Sequence, residues 1–428
     1  MTDQKIVING KYKLTGRVWI SGAKNAALPE LAAAILSPKP FEFQNVPAVE
    51  DIKVMLKALQ NIGAQGDFKQ NTIQVCLESV KSALVPRDIV ETSRASILIL
   101  GPLLARNGYA KVSKPGGCPI GDRKFNYHLD GLRKMGAEIT VDDRHIIAKA
   151  DKLCGIEFKF PTKTVTGTEN LLMAATLAQG LTVLNNCATE PEVHDLINLL
   201  KKMGASIRIE NGDCLLIDGQ SSLNGCCHRV IPDRIEMGTY IIAGGLLDNE
   251  IIIENAVPEY IESLLEILKA IGVEVSVDRD KIKVCSNGNL SAVEVETRPF
   301  PGFPTDLQAQ LTTLLTQVRG VSRIRENIFN NRFQHVRELN RLGADIEVKD
   351  NVAVIRGKTL LTGRNISATD LRASAALVLG GLIAEGKTVI ENSHQLFRGY
   401  EGMPEKLKRL GAQLEIVCDH PVKRSNKM

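Results

Sequence analysis

The apolar positions of this chain repeat in two interleaved patterns. The first is an amphipathic stretch that ends in a glycine and runs into alternating apolar and polar residues. It occurs as MLKALQNIGAQGDF, HLDGLRKMGAEITV, LINLLKKMGASIRI, LLEILKAIGVEVSV, VRELNRLGADIEV and KLKRLGAQLEIV. Its glycines, Gly63, Gly136, Gly204, Gly272, Gly343 and Gly411, are separated by 73, 68, 68, 71 and 68 residues. A glycine just past a helix is the left-handed C-terminal cap, and the alternation after it has the period of a half-buried strand. The second pattern is an Ala/Leu-rich run, apolar nearly all round. Its copies begin at Lys24, Arg94, Glu169, Arg234, Asp306 and Asp370. A helix hydrophobic on every side belongs inside the protein. Capping boxes are expected at Thr166 with Glu169, Asp233 with Glu236 and Thr305 with Gln308.

Each unit of about 70 residues therefore reads as buried helix, strand, exposed helix and further strands, a repeat architecture. Six units predict an α/β fold of two similar domains of three repeats each, with helices inside and sheets outside. The Ile231-Pro232-Asp233 stretch between the third and fourth units is the expected hinge. That divides the chain into 22–231 and 1–21 plus 232–428. The segment before Ser21 has no unit of its own and is expected to add a strand to the C-terminal half.

Composition alters this picture little. The 428 residues are 44% hydrophobic and 24% charged, as in ordinary globular chains. A net charge of +4 suits small anionic substrates and is too evenly spread to predict a nucleic-acid partner. No signal peptide, membrane-spanning run or obligate protein partner is evident, and nine scattered cysteines fit reduced thiols in a cytoplasmic protein. No Cys/His spacing predicts a metal, and no GxGxxG or P-loop predicts a nucleotide cofactor, so none is expected.

The candidate chemistry lies at the starts of the buried helices. Free N–H groups and partial positive charge at helix N-termini form anion sites. The helix dipole contributes only about 0.3–1 kcal/mol per exposed charge, so a doubly anionic ligand also needs cationic side chains. Lys24, Arg94, Arg123 and Arg398 occupy such starts or the loops beside them. Cys118 lies in KPGGCPIGDR, where Lys114, Arg123 and Lys124 would depress a thiol pKa. Asp306 opens a helix after a Pro-Gly-Phe-Pro-Thr loop, and Asp370-Leu371-Arg372 repeats that start one unit later. Asp51, Asp233, Glu236 and Glu190 occupy further starts or loops. For any one of these acids, compensation of the dipole is the simpler explanation.

SGAKNAALP at Ser21–Pro29, RASILILGPLLAR at Arg94–Arg106, PGGCPIG at Pro115–Gly121, PDRIEMGT, FPTDLQAQ, NRFQHV, TDLRASAALV and RGYE carry a resemblance. With them the chain resembles the UDP-N-acetylglucosamine 1-carboxyvinyltransferases along essentially its whole length. The resemblance implies two inside-out α/β domains and transfer of the enolpyruvyl group of phosphoenolpyruvate to UDP-N-acetylglucosamine, the first committed step of peptidoglycan synthesis. It implies that Lys24, Arg123 and Arg398 bind phosphoenolpyruvate and that Arg94 holds the nucleotide-sugar phosphate. Asn25 would contact the tetrahedral intermediate, Cys118 would be the general acid, and Asp306 would take the proton of the sugar 3′-hydroxyl. Lys163 and Gly167, with the stretch Arg123, Lys124, Phe125, Asn126 and Tyr127, would line the uridine side. Ile328, Arg332, Asp370 and Arg372 would complete the substrate contacts. The family commonly has Pro-hydrophobic-Asp-Leu after Arg123 and a Glu before Asn331, where this chain has Lys124–Tyr127 and Asn330. A paralogous enolpyruvyl transferase with another nucleoside or sugar acceptor is therefore the alternative. An RNA 3′-phosphate cyclase, built on related repeats, would want a nucleotidylated histidine and fewer repeats.

Overall fold

The computed structural model describes residues 4–85, 94–114, 126–286 and 288–418, and only the backbone of 94–96. The strands of the described residues form six four-stranded sheets. Each sheet has one parallel pair and two antiparallel pairs. In one, Glu157–Lys159 runs parallel to Leu181–Asn185, which pairs antiparallel with Cys214–Asp218, and that strand with Ser206–Glu210. The sequence dictates this unit directly. Leu196, Leu199 and Leu200 place one apolar face of the Pro191–Lys202 helix inward, and Gly204 then turns the chain into the strand. All six predicted cap glycines have positive φ, from 98° to 115°.

The second pattern forms the interior. Helices Lys24–Ala33, Val165–Ala175, Arg234–Gly244 and Leu371–Ile383 are buried along nearly their whole length, and helices Leu100–Asn107 and Gln308–Leu315 occupy the equivalent places. Close packing explains a glycine inside one of them. A Cβ on Gly238 would lie 2.3 Å from Leu307, the residue after Asp306. The buried apolar side chains form two clusters. One runs from Ala23 to Val230, and the other joins Ile6–Ile20 to Ile235–Leu414.

The segment before Ser21 does join the C-terminal half, but as two strands rather than one. Gln4–Asn9 lies between Lys387–Glu391 and Gln413–Cys418, while Thr15–Trp19 lies beside Glu250–Glu254 in another sheet. Gly10, between the two strands, has no room for a Cβ, which would fall 1.9 Å from the Ala384 carbonyl oxygen. No helix among the described residues is long and apolar enough to cross a membrane.

Candidate active site

The helix starts cap themselves differently from the expected boxes. Asp233 accepts from the backbone N–H groups of Ile235 and Glu236, as expected of a cap. The Glu236 carboxylate, however, accepts from Ser21 N–H and pairs with Lys406 instead of closing the box. Thr166 is not a cap: Thr164, two residues earlier, accepts from Gly167 N–H at 3.3 Å. Thr305 donates to Glu326 instead of capping, because its helix begins with a 3-10 turn over Thr305–Leu307. Asp370 caps Leu371–Ile383 by accepting from Arg372 and Ala373 N–H groups. Those bonds give Asp370 a structural duty that its sequence-predicted substrate role did not include.

Two ion clusters occupy these starts. In the first, the Asp51 carboxylate is buried on the opening turn of Glu50–Asn61 and holds two cations. Lys24 Nζ lies 3.1 Å from Oδ2, and Arg398 Nε lies 3.1 Å from Oδ1. In the second, Asp306 Oδ1 takes Arg332 at 2.7 Å and Oδ2 takes Arg372 at 2.7 and 3.1 Å. Both arginines are buried, and the Asp306 side chain is 24% exposed, so the carboxylate is the open edge of this cluster.

The clusters lie close enough to act on each other. Burial lowers the Lys24 pKa below the ordinary lysine range; Asp51 opposes the shift, and Arg372 and Arg398 add to it. Burial alone would weaken the hold of Arg372 on its proton, but the charge and hydrogen bond of Asp306, with Tyr400 and Asp233, together outweigh it and raise its pKa. Arg234, which pairs with Glu192 at 2.9 Å, is raised in the same way by Glu192 and feels both Glu190 and Asp306. The starts of four of the interior helices thus share one electrostatic neighbourhood. Lys24, Asp51, Glu190 and Glu192 belong to the part of the chain before Ile231, and Arg234, Asp306, Arg332, Arg372 and Arg398 to the part after it.

The other sequence-predicted residues divide. Asn25 sits half-buried in the first turn of Lys24–Ala33. Lys163 is held by Asp213 at 2.7 Å and the Cys187 carbonyl at 2.8 Å, and Gly167 lies in the first turn of the helix that Thr164 caps. Asn126 and Tyr127 open Asn126–Lys134, exposed and half-buried respectively. His128, next to them, is buried, with Asn170 Nδ2 at 2.9 Å from Nδ1 and Thr166 Oγ1 at 3.3 Å from Nε2. Burial depresses its pKa to about 4, leaving a neutral ring that ties this helix to the Thr164 start. Ile328 is exposed beside Glu326, which accepts from its N–H. Cys118, Arg123, Lys124 and Phe125, with the Arg94 side chain, lie outside the described residues.

Two features went unread in the sequence. Asp51 appeared only as a helix-start acid, and nothing local shows that it faces Lys24 and Arg398. The Arg234–Glu192 pair joins residues 42 apart in sequence. A buried trio, Glu30, Asp195 and His228, gathers possible ligand atoms within 4.8 Å. Its donors do not fit a metal, since Lys202 Nζ lies 3.3 Å from His228 Nδ1, where a metal-bound imidazole turns its own N–H toward an acceptor. Asp195 accepts from Ile231 N–H, and His228 Nε2 lies 3.5 Å from Glu30 Oε1 as an ion pair, so the trio links the Lys24 helix to the crossover between the apolar clusters.

An anion-binding end lined by cations from both halves, with one carboxylate at its open edge, suits a reaction between anionic partners. The family model of EPSP synthase (3-phosphoshikimate 1-carboxyvinyltransferase) matches residues 8–407. The UDP-N-acetylglucosamine 1-carboxyvinyltransferase of Koribacter versatilis is 48% identical over 417 residues, 96% of this chain and 96% of its own. That of Magnetococcus marinus is 46% identical over 413 residues, 96% of this chain and 99% of its own. The solved enolpyruvyl transferase NikO from Streptomyces tendae has 26% identity and a TM-score of 0.88 across 98% of this chain and all of its own. An EPSP synthase from Acinetobacter baumannii, at 17% identity and a TM-score of 0.76 over 97% of this chain, shares the fold. The chain belongs to the EPSP synthase family of enolpyruvyl transferases and, within it, to the UDP-N-acetylglucosamine 1-carboxyvinyltransferases.

Proposed function

We propose that this chain transfers the enolpyruvyl group of phosphoenolpyruvate to the 3′-hydroxyl of UDP-N-acetylglucosamine and releases phosphate, in the cytoplasm, as the first committed step of peptidoglycan synthesis. The observation that carries the reading is the joint cation site. Lys24 and Arg398, from opposite sides of Ile231, meet on one carboxylate, and Asp306 stands nearby between Arg332 and Arg372. Phosphoenolpyruvate brings a phosphate and a carboxylate, and Lys24, Arg398 and Arg123 match them. In the first step Asp306 accepts the proton of the sugar hydroxyl, the freed oxygen attacks C2, and Cys118 delivers a proton to C3. The tetrahedral adduct, met by Asn25, then loses phosphate from C2 and a proton from C3 to leave the vinyl ether. Every step is redox-neutral. Arg94, Lys163, Gly167, Ile328 and the stretch 123–127 hold the nucleotide sugar, and a substrate lying between residues 22–231 and the rest draws the two domains together.

The test is phosphate release with phosphoenolpyruvate and a panel of acceptors. UDP-N-acetylglucosamine is expected to give the highest kcat/KM. A higher value with another nucleoside or sugar would replace this reading with the paralogous one raised by Lys124–Tyr127 and Asn330. No phosphate release with any acceptor would overturn both.

A further inference from the structure

Asp51 is a buried carboxylate that the proposed reaction does not use. It is 4% exposed, and its two oxygens are divided between two cations, Lys24 Nζ and Arg398 Nε, each at 3.1 Å. Its position on an opening helical turn would satisfy the dipole from a solvent-facing rotamer; this side chain instead points into the cation site. The two cations have little else in common. Lys24 stands on an interior helix of the first apolar cluster, and Arg398 ends the 3-10 helix Ser393–Arg398 in the part of the chain that builds the second. The far side of the Arg398 guanidinium is steadied by Gln395 at 3.1 Å.

We propose that Asp51 is the positioning residue of the phosphoenolpyruvate site, the internal counter-ion that brings Lys24 and Arg398 into register across the two halves of the chain and keeps them there when substrate enters. The inference rests on the proposed function, in which these two cations receive phosphoenolpyruvate. A Lys ammonium has three donors and an Arg guanidinium five, so one bond from each to Asp51 leaves others to turn toward a ligand. The carboxylate also balances charge. Among the described residues, the charged groups with the largest effect on Lys24 are Asp51, Arg372 and Arg398, and of these three Asp51 is the anion. Without it, a buried ammonium would face two guanidiniums, and the neutral amine would be favoured. An anion beside an anion site also repels its ligand. The balance between that repulsion and the alignment of two cations is what the experiment decides.

The experiment compares Asp51→Asn and Asp51→Glu with the wild type, by steady-state phosphate release over a range of pH. Loss of one hydrogen bond to a charged group corresponds to roughly a tenfold to hundredfold change. Asp51→Asn is expected to raise KM for phosphoenolpyruvate by that factor while KM for UDP-N-acetylglucosamine stays within about twofold. Lys24 is lowered already and loses its charge as pH rises through its pKa. Removing Asp51 lowers it further, so the alkaline limb of kcat/KM for phosphoenolpyruvate should move to lower pH. Asp51→Glu, which keeps the charge, should recover the limb and part of the affinity, which a merely structural residue would not do. If Asp51→Asn leaves KM for phosphoenolpyruvate and the alkaline limb unchanged, or tightens binding, the inference falls. Lys24→Ala and Arg398→Ala separate this failure from that of the reading beneath it. If they raise KM for phosphoenolpyruvate and Asp51→Asn does not, only the inference is wrong; if they leave it unchanged, both are. Should Asp51→Asn melt far below the wild type, Asp51→Glu carries the test alone: a partly raised KM for phosphoenolpyruvate with the limb kept supports the counter-ion role, and an unchanged KM or a limb moved to lower pH overturns it.

Discussion

Replacing Asp306 by Asn separates two duties that meet on one side chain. The carboxylate is the proposed base, and among the described residues it also receives hydrogen bonds from Arg332 at 2.7 Å and from Arg372 at 2.7 and 3.1 Å. Asparagine has nearly the same shape. Its oxygen can still accept from one arginine, but its Nδ2 would present N–H groups to the other. Both guanidiniums are buried, so the one left facing a donor cannot turn to water. Hydrogen bonds to charged groups contribute about 1.5–3 kcal/mol each, and breaking a buried pair costs about 3–5 kcal/mol. With Asp306 a quarter exposed and one bond retained, a loss of about 2–4 kcal/mol is expected. For a cooperative unit of about 200 residues that lowers the melting temperature by roughly 5–15 °C. Turnover should fall by about 10²–10⁴-fold at saturating substrates if the carboxylate takes the sugar proton. Thermal melting and phosphate release on the same preparation read the two duties separately. Near wild-type turnover with lowered melting would leave Asp306 a purely structural counter-ion. Lost turnover with unchanged melting would refute the energetic coupling to Arg332 and Arg372.

Three further outcomes follow from other parts of the molecule. Burial holds His128 and His335 at about 4, so between pH 6.5 and 4 the unfolded chain binds protons that the folded chain does not, and each costs stability on the order of 3 kcal/mol as pH falls through that window. His128→Gln should therefore flatten the acid side of the melting temperature against pH, and an identical slope would show that His128 is not held neutral. Gly136→Ala and Gly343→Ala both force a left-handed conformation, at φ of 98° and 109°, but a Cβ at Gly136 meets nothing within 4 Å whereas one at Gly343 lies 2.9 Å from the Leu360 carbonyl oxygen. Denaturant titration should show a loss of about 1–2 kcal/mol for Gly136→Ala and a clearly larger one for Gly343→Ala; equal losses would remove the close approach from the explanation. Fosfomycin, an epoxide bearing a phosphonate, should add once to the intact protein in the presence of UDP-N-acetylglucosamine, at Cys118. An adduct mapped instead to one of the eight described free cysteines, such as exposed Cys154, Cys227 or Cys418, would refute the assignment of Cys118.

Periodicity made most of the fold legible because the repeat is written in local chemistry. A glycine must stand where φ is positive, and a helix apolar all round must lie inside, so Gly63 through Gly411 and the interior helices were recognisable without any partner in view. The part before Ser21 reads as one strand because nothing local announces that its two strands serve different sheets; a glycine stands at position 10 where the Ala384 carbonyl fills the space a Cβ would take. The caps failed where two candidates stood close together. Thr164 and Thr166 are chemically alike, and only the first has the extended backbone of a cap. At the site, residue types indicated which groups carry charge but not whom they face. Lys24, Arg398, Asp306 and Arg372 were singled out by type and helix position. Asp51, which joins the first pair, shows in the sequence only as a helix-start acid, and Glu192, the partner of Arg234, not at all, because such pairs form between parts of the chain that meet only after folding.

The placement of Gln4–Asn9 between Lys387–Glu391 and Gln413–Cys418 has a consequence in time. During synthesis, a strand near the start of the reading order leaves the ribosome long before either of its neighbours exists. Residues 23–230 supply every member of their own apolar cluster and can consolidate while the remainder is still being translated. The other cluster cannot close until about residue 418 has emerged, so Gln4–Asn9 waits with both of its hydrogen-bonding edges unpaired. Anything that slows translation between residues 9 and 418 lengthens that exposure, so a codon change in that stretch can alter the yield of folded protein without altering a single residue.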